Sequence, residues 1–182
     1  DSNDGGAICH DDGRLTLTRT VFLENVSAGY GGAIACSGRS LTVLNSQFIG
    51  NVADDHGGAI DVHQSYGTII RNSRFVNNHS DSQGGALGAN GSDLDVQGSV
   101  FTGNTADQDG GAIWYPRSSG LLMKGNTFRS NSSDSVGGAI ALLDTREMKQ
   151  VGRKLLITNR FLGNRAVPSR TAKVGFIVGG CC

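Results

Sequence analysis

Four aspartates stand three residues ahead of paired glycines, at Asp54, Asp81, Asp107 and Asp134, with Ala28 and Ser2 in the same place earlier in the chain. Carboxylates stacked one above another repel unless each is satisfied. Calcium between them, held by hard oxygen ligands, is one reading. The plainer and preferred reading is that each Asp accepts hydrogen bonds from the amides of its own turn. The Gly-Gly-x-Gly-x-Asp run of a calcium-binding nonapeptide repeat is absent, so the expected cofactor is none, with calcium as the alternative.

A second group that could do chemistry is aromatic. His63 and Tyr66, and two repeats later Trp114, Tyr115 and Arg117, fall in one variable loop column that holds the single Trp and two of the three Tyr. Exposed, they would form a patch for stacking on a sugar or meeting a protein; the competing reading packs them over an apolar edge. Hydrolysis would need carboxylates roughly 5 to 9.5 Å apart, which the Asp column could supply between units. Arg71 and Arg74 could act as lyase bases, although both read more simply as surface strand residues. Because those carboxylates belong to the regular repeat and do not depart from it, no catalytic residue is assigned.

Four cysteines are too few for a disulfide scaffold, and none forms a C-x-x-C pair. Cys9 and Cys36 lie one repeat apart but offset by one position, so an ideal strand points them to opposite faces. A disulfide between them would need the first coil to fray or slip, while Cys181 and Cys182 could bond elsewhere. His10, His56, His63 and His79 occupy unrelated columns, which predicts no imidazole cluster. Asn-x-Ser sequons occur at Asn25, Asn78, Asn90 and Asn131; only Asn90, in a variable loop, reads as a glycan acceptor.

The elements that must carry these residues come from a repeat. Gly-Gly-Ala followed by Ile or Leu begins at Gly5, Gly31, Gly57, Gly84, Gly110 and Gly137. Phe-x-x-Asn runs in step, pairing Phe22 with Asn25, Phe48 with Asn51, Phe75 with Asn78, Phe101 with Asn104, Phe128 with Asn131 and Phe161 with Asn164. Apolar pairs seven and five residues before each Phe, such as Leu41/Val43 and Leu94/Val96, alternate at period two, with Thr68/Ile70 and Lys154/Leu156 as weaker copies. That period is a strand signal. Each unit therefore holds two or three short strands and cannot bury its own apolar face, so the units stack as an all-β parallel solenoid. Phe becomes a stacked interior column and Asn a turn ladder whose amides bond backbone groups and each other along the axis. About six to seven coils of 26–27 residues are expected, in units 5–30, 31–56, 57–83, 84–109, 110–136 and 137–169, with 170–182 a degenerate coil or cap. The whole, 1–182, reads as a single domain and a piece of a longer chain. Insertions share one place in the repeat, the longest being Asp144 to Arg153, a basic segment.

Composition narrows the function classes. Sixteen basic residues balance sixteen acidic ones, which gives no general attraction to nucleic acid or anionic membrane. No run approaches the ~20 apolar residues of a membrane span. Twenty-eight glycines with only two prolines fit neither collagen nor a Pro-rich linker.

The paired Gly-Gly-Ala-Ile and Phe-x-x-Asn motifs, from Gly5 to Asn164, resemble the repeats of chlamydial polymorphic outer-membrane proteins. The resemblance implies a right-handed parallel β-helix of the pectin-lyase-like kind, displayed extracellularly or at the cell surface. Its partners would be other subunits, a receptor or a glycan. The autotransporter barrel that follows the passenger in that family has no counterpart here. The function expected is a non-enzymatic structural or adhesive element, spacer or assembly subunit. The alternative is a carbohydrate-binding or polysaccharide-degrading β-helix, since the fold hosts both.

Overall fold

The computed structural model describes residues 3–65, 67–116, 120–143 and 154–167. Their strands form four parallel sheets of six strands each. The first sheet runs from Ile8–His10 through Ile34–Cys36, Ile60–His63, Leu87–Asn90 and Ile113–Pro116 to Ile140–Leu143. The second begins at Arg14–Thr18, the third at Val21–Leu23 and the fourth at Val26–Ser27. Each coil thus has four strands where two or three were expected; the fourth is only two residues long and carries no alternation to read. Six strands per sheet are separated by five coil-to-coil steps, so the described rod makes about five full turns, and the expected six to seven is corrected to that.

Register follows the repeat. Leu15 pairs with Leu41, Leu41 with Thr68, and Thr68 with Leu94, so the weak copy Thr68/Ile70 keeps its place. The pattern along Ser40–Leu44 alternates half-buried and buried, with Leu41 and Val43 inward, as a half-buried strand should.

The two glycines of each corner are needed for different reasons. Gly84 has φ 71°, a left-handed conformation that side-chain-bearing residues resist. Gly85 has no such φ, but a Cβ there would lie 2.3 Å from the carbonyl oxygens of both Gly111 and Thr105. One glycine turns the chain and the other lets two coils touch.

The interior columns match the expected ladders. Rings of Phe22, Phe48, Phe75, Phe101, Phe128 and Phe161 stack with centroids 4.7 to 5.0 Å apart and planes within 10°. The Asn column runs from Asn25 through Asn51, Asn78, Asn104 and Asn131 to Asn164, and each Nδ2 donates to the next Oδ1 at 2.8 to 2.9 Å. That same oxygen also accepts the backbone N–H of the preceding Asn at 3.0 Å. The second amide hydrogen reaches back to backbone: Asn51 donates to the Phe22 carbonyl at 3.2 Å, and Asn78 and Asn104 to those of Phe48 and Phe75 at 3.1 Å. Asn51, Asn78, Asn104 and Asn131 are fully buried, so the column expected as turn chemistry lies inside the rod beside the Phe stack, and its bonds replace the water it has lost. A further ladder, unforeseen, joins Ser46, Ser73, Ser99, Asn126 and Asn159, each side-chain oxygen accepting the backbone N–H of the coil before.

Candidate functional site

The outward column of the first sheet is where the coils stop copying one another. In register it reads Cys9, Ala35, Asp61, Gly88, Trp114, Ala141. Tyr30 and His56, each just before a glycine pair, fold back over this face, because the Gly-Gly corner turns the chain just upstream of the strand. Asp61 sits beneath that cover at 3% exposure.

Its neighbours are specific. Asp61 Oδ2 lies 3.7 Å from His63 Nδ1, an ion-pair contact too long for a hydrogen bond. Asp61 Oδ1 has no hydrogen-bond partner among the described residues, and a Cβ on Gly88 would stand 2.3 Å from it, so that oxygen occupies the room glycine leaves. Trp114, on the other side of Gly88, lays its ring against His56 with centroids 4.4 Å apart. The Tyr30 ring is 5.4 Å from His56 and 6.2 Å from His63.

Burial pushes the Asp61 carboxyl above its ordinary value, opposed by His63 and His56. The adjacent Asp61 carboxylate raises His63 against its partial burial. The charge of Asp55, then burial and a hydrogen bond to Asp55, raises the Tyr30 phenol. Toward the first coil, the smallness of Ala35 leaves a cleft of about 310 Å³ whose walls include Asp4, Asp11, Tyr30, Asp61 and His63.

Several expectations change here. Two of the four histidines, His56 and His63, do converge, on Asp61, because the corner carries one over the strand that holds the other. Trp114 is only 9% exposed and Tyr115 fully buried with its hydroxyl bonded to the Gly120 carbonyl, so neither belongs to an open stacking patch. Tyr66 and Arg117, named with them, lie outside the described residues, as do Asp144 to Arg153, Cys181 and Cys182. Asn90 ends a strand, not a loop, half-buried and 3.4 Å from His63 Nε2.

Cys9 and Cys36 are free, one exposed and one buried in the core, on opposite faces as their offset required. Burial raises both thiols above their ordinary value, with Asp11 adding to the effect, which keeps them protonated. Arg71 is tied to Asp95 in an ion pair and to its carbonyl, while Arg74 stays exposed.

Asp54, Asp81, Asp107 and Asp134 stand exposed; where a serine stands just before that column, as at Ser27 and Ser80, its hydroxyl fills the turn role expected of them, whereas Asp54 and Asp107 follow Ala53 and Ala106. Ser80 Oγ accepts the Ser82 N–H at 3.0 Å and donates to the Asp55 carbonyl at 2.6 Å, and Ser27 behaves alike. The Asp column nonetheless gains a histidine once. His79, Asp81 and Asp107 bring ligand atoms within 4.8 Å of one another. Thr105 Oγ1 lies 2.8 Å from His79 Nδ1, leaving Nε2 facing Asp81 at 2.9 Å. An imidazole with two carboxylates suits a zinc-class ion better than calcium.

The features that sequence reasoning missed are Asp61 and its cover. The available signal was one carboxylate in a column whose other members are small or apolar.

The family model "Right handed beta helix region" matches residues 32–148, and "Chlamydia polymorphic membrane protein repeat" matches residues 19–37. No curated protein and no solved structure matches the chain.

Proposed function

This chain belongs to the right-handed β-helix region family, and from that premise we propose that it works as a rigid, non-enzymatic rod at or outside a cell surface, a structural spacer or adhesive element. The observation that carries the reading is the unbroken pair of interior ladders. Five Asn-to-Asn amide bonds and five Phe stacks run from the first described coil to the last. Each ladder ties a coil to both neighbours, so bending or unwinding one coil breaks contacts in three. Such construction supports a stiff element whose function is reach and presentation.

The repeat shared with polymorphic membrane proteins supports display at a surface. Among the described residues no helix is long and apolar enough to cross a membrane. A receptor, a surface glycan or neighbouring subunits are the partners this reading calls for.

The test sets the purified chain against the polysaccharide-degrading alternative. Beads coated with it should attach to cells or to a glycan surface, while a panel of polysaccharides incubated with it should yield no new reducing ends and no unsaturated uronate absorbance. Product release that disappears in Arg71→Ala or Arg74→Ala would replace the rod reading with a lyase.

A further inference from the structure

The outer face of the second sheet carries two clefts that meet at Gly67 and Ile69 and have opposite charge. The one toward the later coils, about 380 Å³, has Asp93 and Asp95 on its walls. The one toward the first coil, about 530 Å³, has Arg14 and Arg39, together with Thr16, Ser40 and Thr42. No carboxylate lines this second cleft among the described residues. The repeat places its residues: Arg14 pairs with Ser40 and Thr16 with Thr42, and Arg39 precedes Ser40, so the two arginines spring from neighbouring coils roughly 4.8 Å apart.

Like charges on neighbouring strands are destabilising unless something offsets them. At Arg71, in the next coil, the Asp95 carboxylate does so. Arg14 and Arg39 lack such a partner, since neither guanidinium makes an ion pair or a hydrogen bond among the described residues. The carboxylate just before them in sequence, Asp12, is turned to its own backbone, where Oδ1 accepts the Gly13 N–H at 2.6 Å. The hydroxyls of Thr16, Ser40 and Thr42 are equally unengaged among the described residues.

The cleft is thus a group of donors with no acceptor, and the chemistry that completes it is anionic. A guanidinium matches carboxylate or sulfate oxygens two at a time. Hydroxyls beside it suit the hydroxyls and ring oxygens of a sugar. No aromatic side chain lines the cleft among the described residues, which leaves a nucleic-acid base nothing to stack on. Asp93 and Asp95, past Ile69, repel a polyanion and limit it to the earlier coils.

We propose that this face of the first three coils binds a polyanionic glycan, its acidic groups on Arg14 and Arg39 and its hydroxyls on Thr16, Ser40 and Thr42. The proposal names the partner for the adhesive form of the reading above and rests on it.

Calorimetric titration of the purified chain tests it at about 0.15 M salt, where exposed charges are screened beyond roughly 8 Å. The probes are a heparin-derived hexasaccharide, a galacturonate hexasaccharide, a neutral dextran hexasaccharide and hexaglutamate. At least one acidic glycan should bind saturably, and the neutral glycan and the peptide should not. Arg14→Gln and Arg39→Gln should each weaken binding by about fivefold or more. Arg129→Gln, which removes an exposed arginine of the third sheet, should bind as the parent does. The better of the two acidic glycans assigns the anionic group as sulfate or carboxylate. Equal loss in Arg129→Gln, full binding by the Arg14→Gln/Arg39→Gln pair, or binding of hexaglutamate or dextran as tight as that of the acidic glycans overturns the site. If neither acidic glycan binds while coated beads still attach to cells, this site fails and the adhesive reading stands; if the beads fail as well, both fall.

Discussion

The inside of the rod and the outer face of its first sheet obey opposite rules. Inside, Phe22, Phe48, Phe75, Phe101 and Phe128 repeat one side chain in one pose. Outside, Cys9, Ala35, Asp61, Gly88, Trp114 and Ala141 hold equivalent places and no two neighbours match. A ladder must be complementary to its own copy one strand spacing away, which fixes residue type. A site must differ from its surroundings. The polar columns of the repeat are therefore poor places to seek ligands, and its departures are good ones.

The sharpest way to break the comparison is to disturb the contact between coils. Gly85→Ala puts a methyl group 2.3 Å from two carbonyl oxygens of neighbouring segments. The expected loss is about 4 kcal/mol or more, seen as a collapsed thermal transition. Gly67, with nothing within 4 Å of a built Cβ, should tolerate alanine to within about 1 kcal/mol. Comparable transitions for the two variants would mean that coil spacing is softer than the packing implies.

Next in size is the Phe column. Phe75 is fully buried between two rings, so Phe75→Ala should cost about 3–5 kcal/mol in chemical denaturation. Phe161, 48% exposed at the last described coil, should cost less than about 1.5 kcal/mol. Equal losses would show that stacking, not burial, dominates.

A smaller effect of opposite sign sits in the same interior. Thr68 takes the place of Leu41 and Leu94, its hydroxyl buried without a partner among the described residues. Thr68→Val keeps the shape and removes the orphan, and should raise stability by about 1 kcal/mol. A lower melting temperature for Thr68→Val would reveal a bond to that hydroxyl.

The interior is legible in the sequence because a ladder preserves its residue types at a fixed period, as Phe22 to Phe161 and Asn25 to Asn164 do. What period alone does not give is depth: Asn51 and Asn104 read as turn residues, and only the coil-to-coil amide bonds explain how two such polar side chains stand fully buried. The Ser46 to Asn159 ladder is hidden because Ser and Asn share the job, and a period does not equate them. The Asp54 to Asp134 column is visible, but its role is not the one its position suggests: where a serine stands one residue earlier, as Ser27 and Ser80 do, its hydroxyl takes the turn amide, while Ala53 and Ala106 hold that place before Asp54 and Asp107. Asp61 reads in sequence as one polar residue in an ordinary alternating strand. Its burial depends on Gly88 in the next coil and on the cover that Trp114 and His56 form, which no local pattern contains.

The smallest effect is a pH dependence, and it belongs to the outer face. Asp61 and His63 both hold their protons more tightly folded than unfolded, Asp61 through burial and His63 through Asp61. A group whose folded value is raised favours the folded state below its ordinary value and loses that advantage as pH rises through the folded one. The ordinary values are 3.8 for Asp61 and 6.5 for His63, so both contributions decline with rising pH, in windows that begin at those values and extend above them. His56 and Asp55 also act on Asp61, in opposite senses. Stability in urea should thus fall between about pH 5 and pH 8, and Asp61→Asn should flatten the fall, since it removes the buried acid and the partner of His63 together. An unchanged slope in Asp61→Asn would place the titrating groups elsewhere on the rod.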